Sequence, residues 1–260
     1  MLTTLDSYST IAANLTRSLS TTAAKPQVAR ETDYYLAHIE NIKSIDDFLA
    51  DDRVFRYAMK AFGLEDMAYA KAFMRKVLTE GVDKRDSFVN TLADARYKDF
   101  AQTFNFARYD KTTTIFDRTR QGTVDRYVRQ TLEEDAGAQN EGVRLALYFQ
   151  RKAPSVTSAY GILADAALLK VVQTALGIPA ETSAMDIDKQ AQMISARLDV
   201  ADLKDPDKLK SFLGRFASLW EVNNPSSTTD PTAVLFSQPL ELGIGGDLLA
   251  SLQNLRLGGS

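Results

Sequence analysis

Apolar residues recur at spacings of three and four along most of the chain, and no stretch keeps the two-residue alternation of a half-buried strand. The first stripe runs Leu2, Leu5, Tyr8, Ile11, Leu15 and Leu19. It predicts an amphipathic helix in a segment rich in Ser and Thr. Those residues are indifferent helix formers, so this helix needs a partner surface. Pro26 breaks the stripe. Tyr35, Leu36, Ile39 and Ile42 then share one side of residues 31–42. Ser44 is placed to cap a helix carrying Phe48 and Leu49, and Val54, Phe55, Ala58 and Phe62 mark the next stripe. Gly63 is placed to close that helix in a left-handed conformation, and Gly81 ends the run that follows. Tyr97, Phe100 and Phe104 also keep helical spacing.

Residues 108–121 lose the periodicity, hold three consecutive threonines and read as a connection. Residues 122–152 read as one long helix, with "DAGAQNEG" as the place where it would kink or be interrupted, and Pro154 as its end. Residues 155–221 are helical again: Asp205 before Pro206 is a cap followed by a first-turn proline, and Leu209, Phe212, Leu213, Phe216 and Trp220 follow on one face. "NNPSSTTDP" is a flexible tract, beyond which Leu248, Leu249, Leu252 and Leu255 form a short amphipathic stripe. The pattern predicts an all-α chain in five parts: an amphipathic segment (1–26), a helical unit (27–108), a linker with a long helix (109–154), a second helical unit (155–222) and a flexible tail (223–260).

The two units echo each other. "SIDDFLADDRVFRYAMKAFGL" at 44–64 and "SAYGILADAALLKVVQTALGI" at 158–178 align without gaps. Ser44 and Ser158, Leu49 and Leu163, Asp51 and Asp165, and Gly63 and Gly177 coincide. Upstream, Tyr34-Tyr35 stands opposite Tyr148-Phe149; downstream, after a small change of register, Phe100 and Phe104 meet Phe212 and Phe216. The kept order of starts, stops and anchors predicts two internally repeated bundles joined by the long central helix. The competing reading is chance likeness among amphipathic helices; the conserved order of elements favours duplication.

Composition narrows function by exclusion. The chain has 260 residues, 45% hydrophobic and 25% charged, as a folded protein does. The net charge of −3 gives no overall basic field toward nucleic acid or anionic lipid. Cysteine is absent, which removes disulfides, thiolate metal sites and cysteine nucleophiles. No apolar run approaches the ~20 residues of a membrane span, and the N-terminus lacks the n- and h-regions of a cleaved signal peptide.

Candidate chemistry is sparse. The one histidine, His38, sits on a helix and reads as structural or surface. Asp46, Asp47, Asp51 and Asp52 lack calcium-loop spacing and fall at helix N-termini, where negative charge is favourable. Arg96, Lys98, Arg108, Lys111, Arg118, Arg120, Arg126 and Arg129 could make a basic face; the aromatics between them are better read as core than as a stacking platform. "GIGGD" at 243–247 lacks the strand and the Gly-Lys-Ser/Thr of a phosphate loop. No catalytic residue, metal site or cofactor is expected.

The run "VARETDYYLAHIENIKSIDDFLADDRVFRYAMKAFGLEDMAYAKAFMRKVLTEG", residues 28–81, resembles a bacterial family of uncharacterised proteins encoded in flagellar gene clusters. The resemblance implies a flagellar setting and supplies no catalytic residues. A non-enzymatic structural or assembly protein is expected, with flagellar or other bacterial proteins, or further copies of itself, as partners. A cytoplasmic regulator or export chaperone for a flagellar client is the alternative, and an enzyme of unknown class is a distant third. It would be cytoplasmic or exported through the flagellar apparatus. The adhesive residues would be Leu5, Ile11, Leu15, Leu19, Leu248, Leu249, Leu252 and Leu255, and the repeat rests on Leu49, Gly63, Leu163 and Gly177.

Overall fold

The repeated starts and stops of the sequence become short helices folded back on one another in a computed structural model, which describes residues 2–224. The expected stripe at Leu248–Leu255 lies outside the described residues. The N-terminal segment is two helices, α1 (Thr4–Ala13) and α2 (Leu15–Ala23), separated by Asn14. Then come α3 (Pro26–Ile39), α4 (Ile45–Ala50), α5 (Asp52–Ala61), α6 (Lys71–Glu80), α7 (Phe88–Thr91), α8 (Ala95–Thr103) and α9 (Phe106–Tyr109). The central pair is α10 (Gln121–Gln139) and α11 (Glu141–Lys152). The second half holds α12 (Ala159–Leu163), α13 (Ala166–Leu176), α14 (Ile187–Ser195) and α15 (Pro206–Asn223). No strand occurs among the described residues, and the chain is all-α.

Two apolar cores form, one from Val28 to Val128 and one from Tyr8 and Val143 to Trp220. The first is aromatic: Phe48 lies 4.9 Å from Phe104 and 5.6 Å from Phe55, and Phe62 meets Phe100 edge-on at 5.3 Å. Tyr57 stacks between Tyr35 at 4.4 Å and Tyr127 at 3.8 Å, tying α3, α5 and α10 together. The second core is leaner, with Phe149 against Phe212 at 5.4 Å and Phe216 against Trp220 at 5.7 Å. Each fully buried side chain of this size contributes roughly 1.5–3 kcal/mol. The aromatics between the basic residues, Tyr97, Phe100 and Phe104, are buried here.

Three sequence expectations are corrected or refined. The long helix over 122–152 is two helices, interrupted within the "DAGAQNEG" stretch where a break was expected. Asn140 takes an extended conformation (φ −155, ψ 111), and its side chain caps α11 by accepting from Gly142 N at 2.8 Å, so a new helix starts and the chain reverses. α10 and α11 lie antiparallel, with Arg129 donating to the Leu147 carbonyl at 3.1 Å. The N-terminal stripe, read as one amphipathic helix, is instead two docked helices: Tyr8 is buried in the second core and Leu19 packs on the first. Pro26 starts α3 as its first residue, where a missing N–H costs nothing, rather than only breaking the stripe.

The connection at 108–121 is compact. Two 3₁₀ turns, Asp110–Ile115 and Asp117–Thr119, bury Thr113, Thr114 and Thr119. Their hydroxyls donate to carbonyls: Thr114 to Ile42 at 2.8 Å and Thr119 to Thr113 at 3.1 Å. The buried Tyr35 hydroxyl donates to the Thr119 carbonyl at 2.5 Å. Burial of these polar groups is tolerable because each is bonded.

At the aligned positions the two halves perform the same local tasks. Ser44 accepts from Asp47 N at 3.0 Å, and Ser158 from Gly161 N at 3.4 Å. Asp51 caps α5 through Val54 N at 3.0 Å, and Asp165 caps α13 through Ala167 N at 2.9 Å. Gly63 and Gly177 close those helices at φ 69 and φ 62, conformations that a side chain rarely adopts. Leu49 is buried in the first core, and Leu163 is half-buried against the second. The likeness weakens downstream, where α8 has 9 residues and α15 has 18.

Candidate functional site

A trough of about 970 Å³ opens between the two cores, floored by the α10–α11 hairpin. One wall is the end of α5 (Ala61, Phe62, Gly63) with the start of α8 (Asp94, Arg96, Asp99); the other is α12–α13 from Gly161 to Leu168. Both walls are helix termini, because the echoed stops and caps place Gly63 on one side and the Asp165 cap on the other.

Most charges of the trough are held by partners. Glu133 is nearly sealed, its side chain 2% exposed. Arg151 reaches it through Nε at 2.8 Å and a terminal nitrogen at 2.7 Å, and Arg129 through Nε at 2.9 Å. Burial works against the charge of Arg151, but the paired Glu133 outweighs it and holds the guanidinium above its ordinary value. Arg151 also lies 5.1 Å from the centre of the Tyr148 ring. The Tyr148 hydroxyl donates to Asp165 at 2.6 Å; burial, then this bond, raises its pKa. Arg96 grips Asp94 at 2.7 Å and the Gly63 carbonyl. Burial alone would raise the Asp94 pKa, and the bonds from Arg96 bring it below the usual carboxylate value. Lys152 crosses to Asp99 at 3.3 Å, bridging the second half to the first. Arg126 stays exposed and stacks 4.8 Å above the Phe62 ring. Such a lining presents fixed charge, most of it held in ion pairs.

The residues singled out in the sequence fall elsewhere. Leu5 is exposed, Ile11 and Leu15 are half-buried, and Leu19 packs on the first core. Leu248, Leu249, Leu252 and Leu255 lie outside the described residues. His38 stacks on Tyr34 at 3.8 Å, its Nδ1 2.8 Å from the Tyr34 carbonyl. The aspartate cluster is dispersed into caps and ion pairs: Asp52 with Arg56 at 2.6 Å and Lys71 at 3.0 Å, Asp46 with Arg75. The basic residues are likewise spread, Arg120 to Glu40 at 2.7 Å and Arg118 over Phe116 at 4.3 Å. Sequence reasoning did not single out Glu133, Arg151 or Tyr148 as a group. Arg129 and Glu133 stand one turn apart and signal a helix pair; Arg151 joins them only through the hairpin.

Fold and trough define an α-helical protein of two packed cores with a charged cleft between them. Residues 61–209 match the family described as protein of unknown function (DUF1217). A crystal structure of a protein from Agrobacterium tumefaciens is similar with a TM-score of 0.79 and 46% identity, covering 86% of this chain and 98% of that one. A search of the curated proteins finds no match. The chain belongs to the DUF1217 family.

Proposed function

We propose that the chain is a non-enzymatic, flagellum-associated structural or assembly protein that works through helix-mediated contacts with other polypeptides. The observation that carries this reading is the trough. Its charges are tied into ion pairs, an arrangement suited to matching a polar protein surface more than to moving protons. Its volume, about 970 Å³, is of the order of two turns of a helix about 10–12 Å across with a pitch of about 5.4 Å. The flagellar setting is supported by the resemblance of residues 28–81 alone. The matched caps and glycine stops of the two halves support an origin by duplication.

The second reading is an export chaperone holding a helical flagellar client in the same trough. Fractionation of motile cells separates the two. Recovery in purified hook–basal bodies or culture fluid, lost when the export apparatus is disabled, supports the structural role. A soluble complex with one flagellar client and no protein outside the cell supports the chaperone. Recovery with neither, and normal swimming in a deletion strain, would overturn both.

A further inference from the structure

Away from the trough, exposed apolar side chains gather at one place in the second half. Tyr160 is 50% exposed, Met185 41% and Ile187 55%, and hydrogen bonds draw their segments together. The Tyr160 hydroxyl donates to Asp188 at 2.7 Å, which ties α12 to the first turn of α14. The Gln190 amide donates to the Met185 carbonyl at 2.8 Å, and the Gln173 amide of α13 to the Ser183 hydroxyl at 2.9 Å. The 3₁₀ turn Ala180–Ala184 and the residue after it are thereby strapped to α13 and α14. Asp186 caps α14 through Asp188 N at 3.0 Å, which makes Ile187 its first residue. Between these ties lies a shallow dimple lined by Leu163, Leu169, Ile178, Met193 and Ile194.

Grouped apolar side chains on a surface mark a contact site, where singly scattered ones do not. Two features define what fits this one. Met185 and Met193 are unbranched and flexible, so they repack around side chains of differing shape. The rim is acidic: within residues 179–190 the exposed Glu181, Asp186 and Asp188 stand against Lys189 alone. Among the described residues none of these three acids is in a salt bridge, whereas the acids of the trough are held by arginine and lysine.

We propose that this patch on α12–α14 receives an amphipathic helix of another protein, apolar on one face with lysine or arginine beside it. The apolar face covers Tyr160, Met185 and Ile187 and sets a side chain at the Leu163–Met193 dimple. The cations pair with acids whose charge no internal ion pair offsets. α12 then serves two surfaces, Gly161 and Ala164 lining the trough and Tyr160 and Leu163 the patch. The inference stands apart from the trough and from the flagellar reading.

The test is fluorescence anisotropy of the full chain with two labelled helical peptides. Both carry leucine at i, i+3, i+4 and i+7; the polar positions are lysine in one and glutamate in the other. The lysine peptide is expected to bind at least tenfold more tightly than the glutamate peptide. Met185→Ser with Ile187→Ser, and separately Glu181→Lys with Asp188→Lys, are each expected to weaken its binding at least tenfold, with folding checked by circular dichroism. Should a pair fail to fold, its exposed single member Ile187→Ser or Glu181→Lys is read by the same outcomes. The trough pair Asp66→Lys with Arg126→Glu is expected to leave binding unchanged. No binding of the lysine peptide, equal binding of both peptides, or undiminished binding by either patch variant would overturn the proposal. Loss in the trough pair alone would also overturn it, and would leave the trough reading standing. A wild-type chain that sediments as a dimer and turns monomeric with Met185→Ser and Ile187→Ser would show a second copy covering the patch, and would overturn it too.

Discussion

Arg151 closes two hydrogen bonds on Glu133, at 2.8 and 2.7 Å, from the opposite arm of the α10–α11 hairpin. With Arg129 on the same carboxylate, the one sealed acid of this hairpin pairs with cations from both helices. Removing one partner of such a set leaves uncompensated buried charge. Glu133→Ala is expected to lower unfolding free energy by about 3–5 kcal/mol, measured by urea denaturation. A change below about 1 kcal/mol would show that solvent already screens the arginines.

The aligned tyrosines offer a graded pair. Tyr148 bonds Asp165 at 2.6 Å, while Tyr34 reaches Asp51 at 3.3 Å. Tyr148→Phe is expected to cost about 1.5–3 kcal/mol, as bonds to charged groups do, and Tyr34→Phe about 1 kcal/mol or less. Thermal unfolding of the two variants side by side checks the order; equal costs would contradict it.

The glycines separate strain from crowding. Gly177 has open space around its Cβ position but φ +62, so Gly177→Ala is expected to cost about 1–2 kcal/mol through backbone conformation alone. Gly142→Ala pushes into Trp220 and Thr4 and is expected to cost about 1–3 kcal/mol. Hydrogen exchange should show the second loosening residues 4–13 selectively, and the first leaving them unchanged.

Alkaline pH should unfold the chain through its buried phenols. Burial pushes Tyr8 from 10.0 up to about 12, with Arg129 pulling slightly the other way, and the Tyr148 pKa is raised as well. A folded pKa above the unfolded one favours the protonated state, so this stability is complete below pH about 10 and is lost as pH rises toward 12. Tyr8→Phe keeps the ring and should flatten that decline in a melting series from pH 9 to 11. An unchanged slope would place the loss elsewhere.

Local helix starts and stops were readable in the sequence because each is written in a few adjacent residues: Ser44, Asp51, Gly63, Asp165 and Asp205 act as caps or stops where their types and positions say they should. The break at Asn140 was visible only as a stretch that would weaken a helix, since whether Asn caps a new helix depends on what the following turn packs against. Thr113, Thr114 and Thr119 looked like a polar connection because their burial is compensated by distant carbonyls such as that of Ile42. The trough was illegible for a similar reason: Asp99 and Lys152, or Glu133 and Arg151, become neighbours only when α11 doubles back on α10.

The central claim, that the trough receives a flagellar polypeptide, is tested most directly by native capture from motile cells with the full chain and with a variant carrying Asp66→Lys and Arg126→Glu, two exposed trough residues. The account predicts a flagellar protein recovered with the wild-type chain and at least tenfold less with the folded variant. Recovery of the same flagellar protein at equal yield by both, or of none by either, would contradict it.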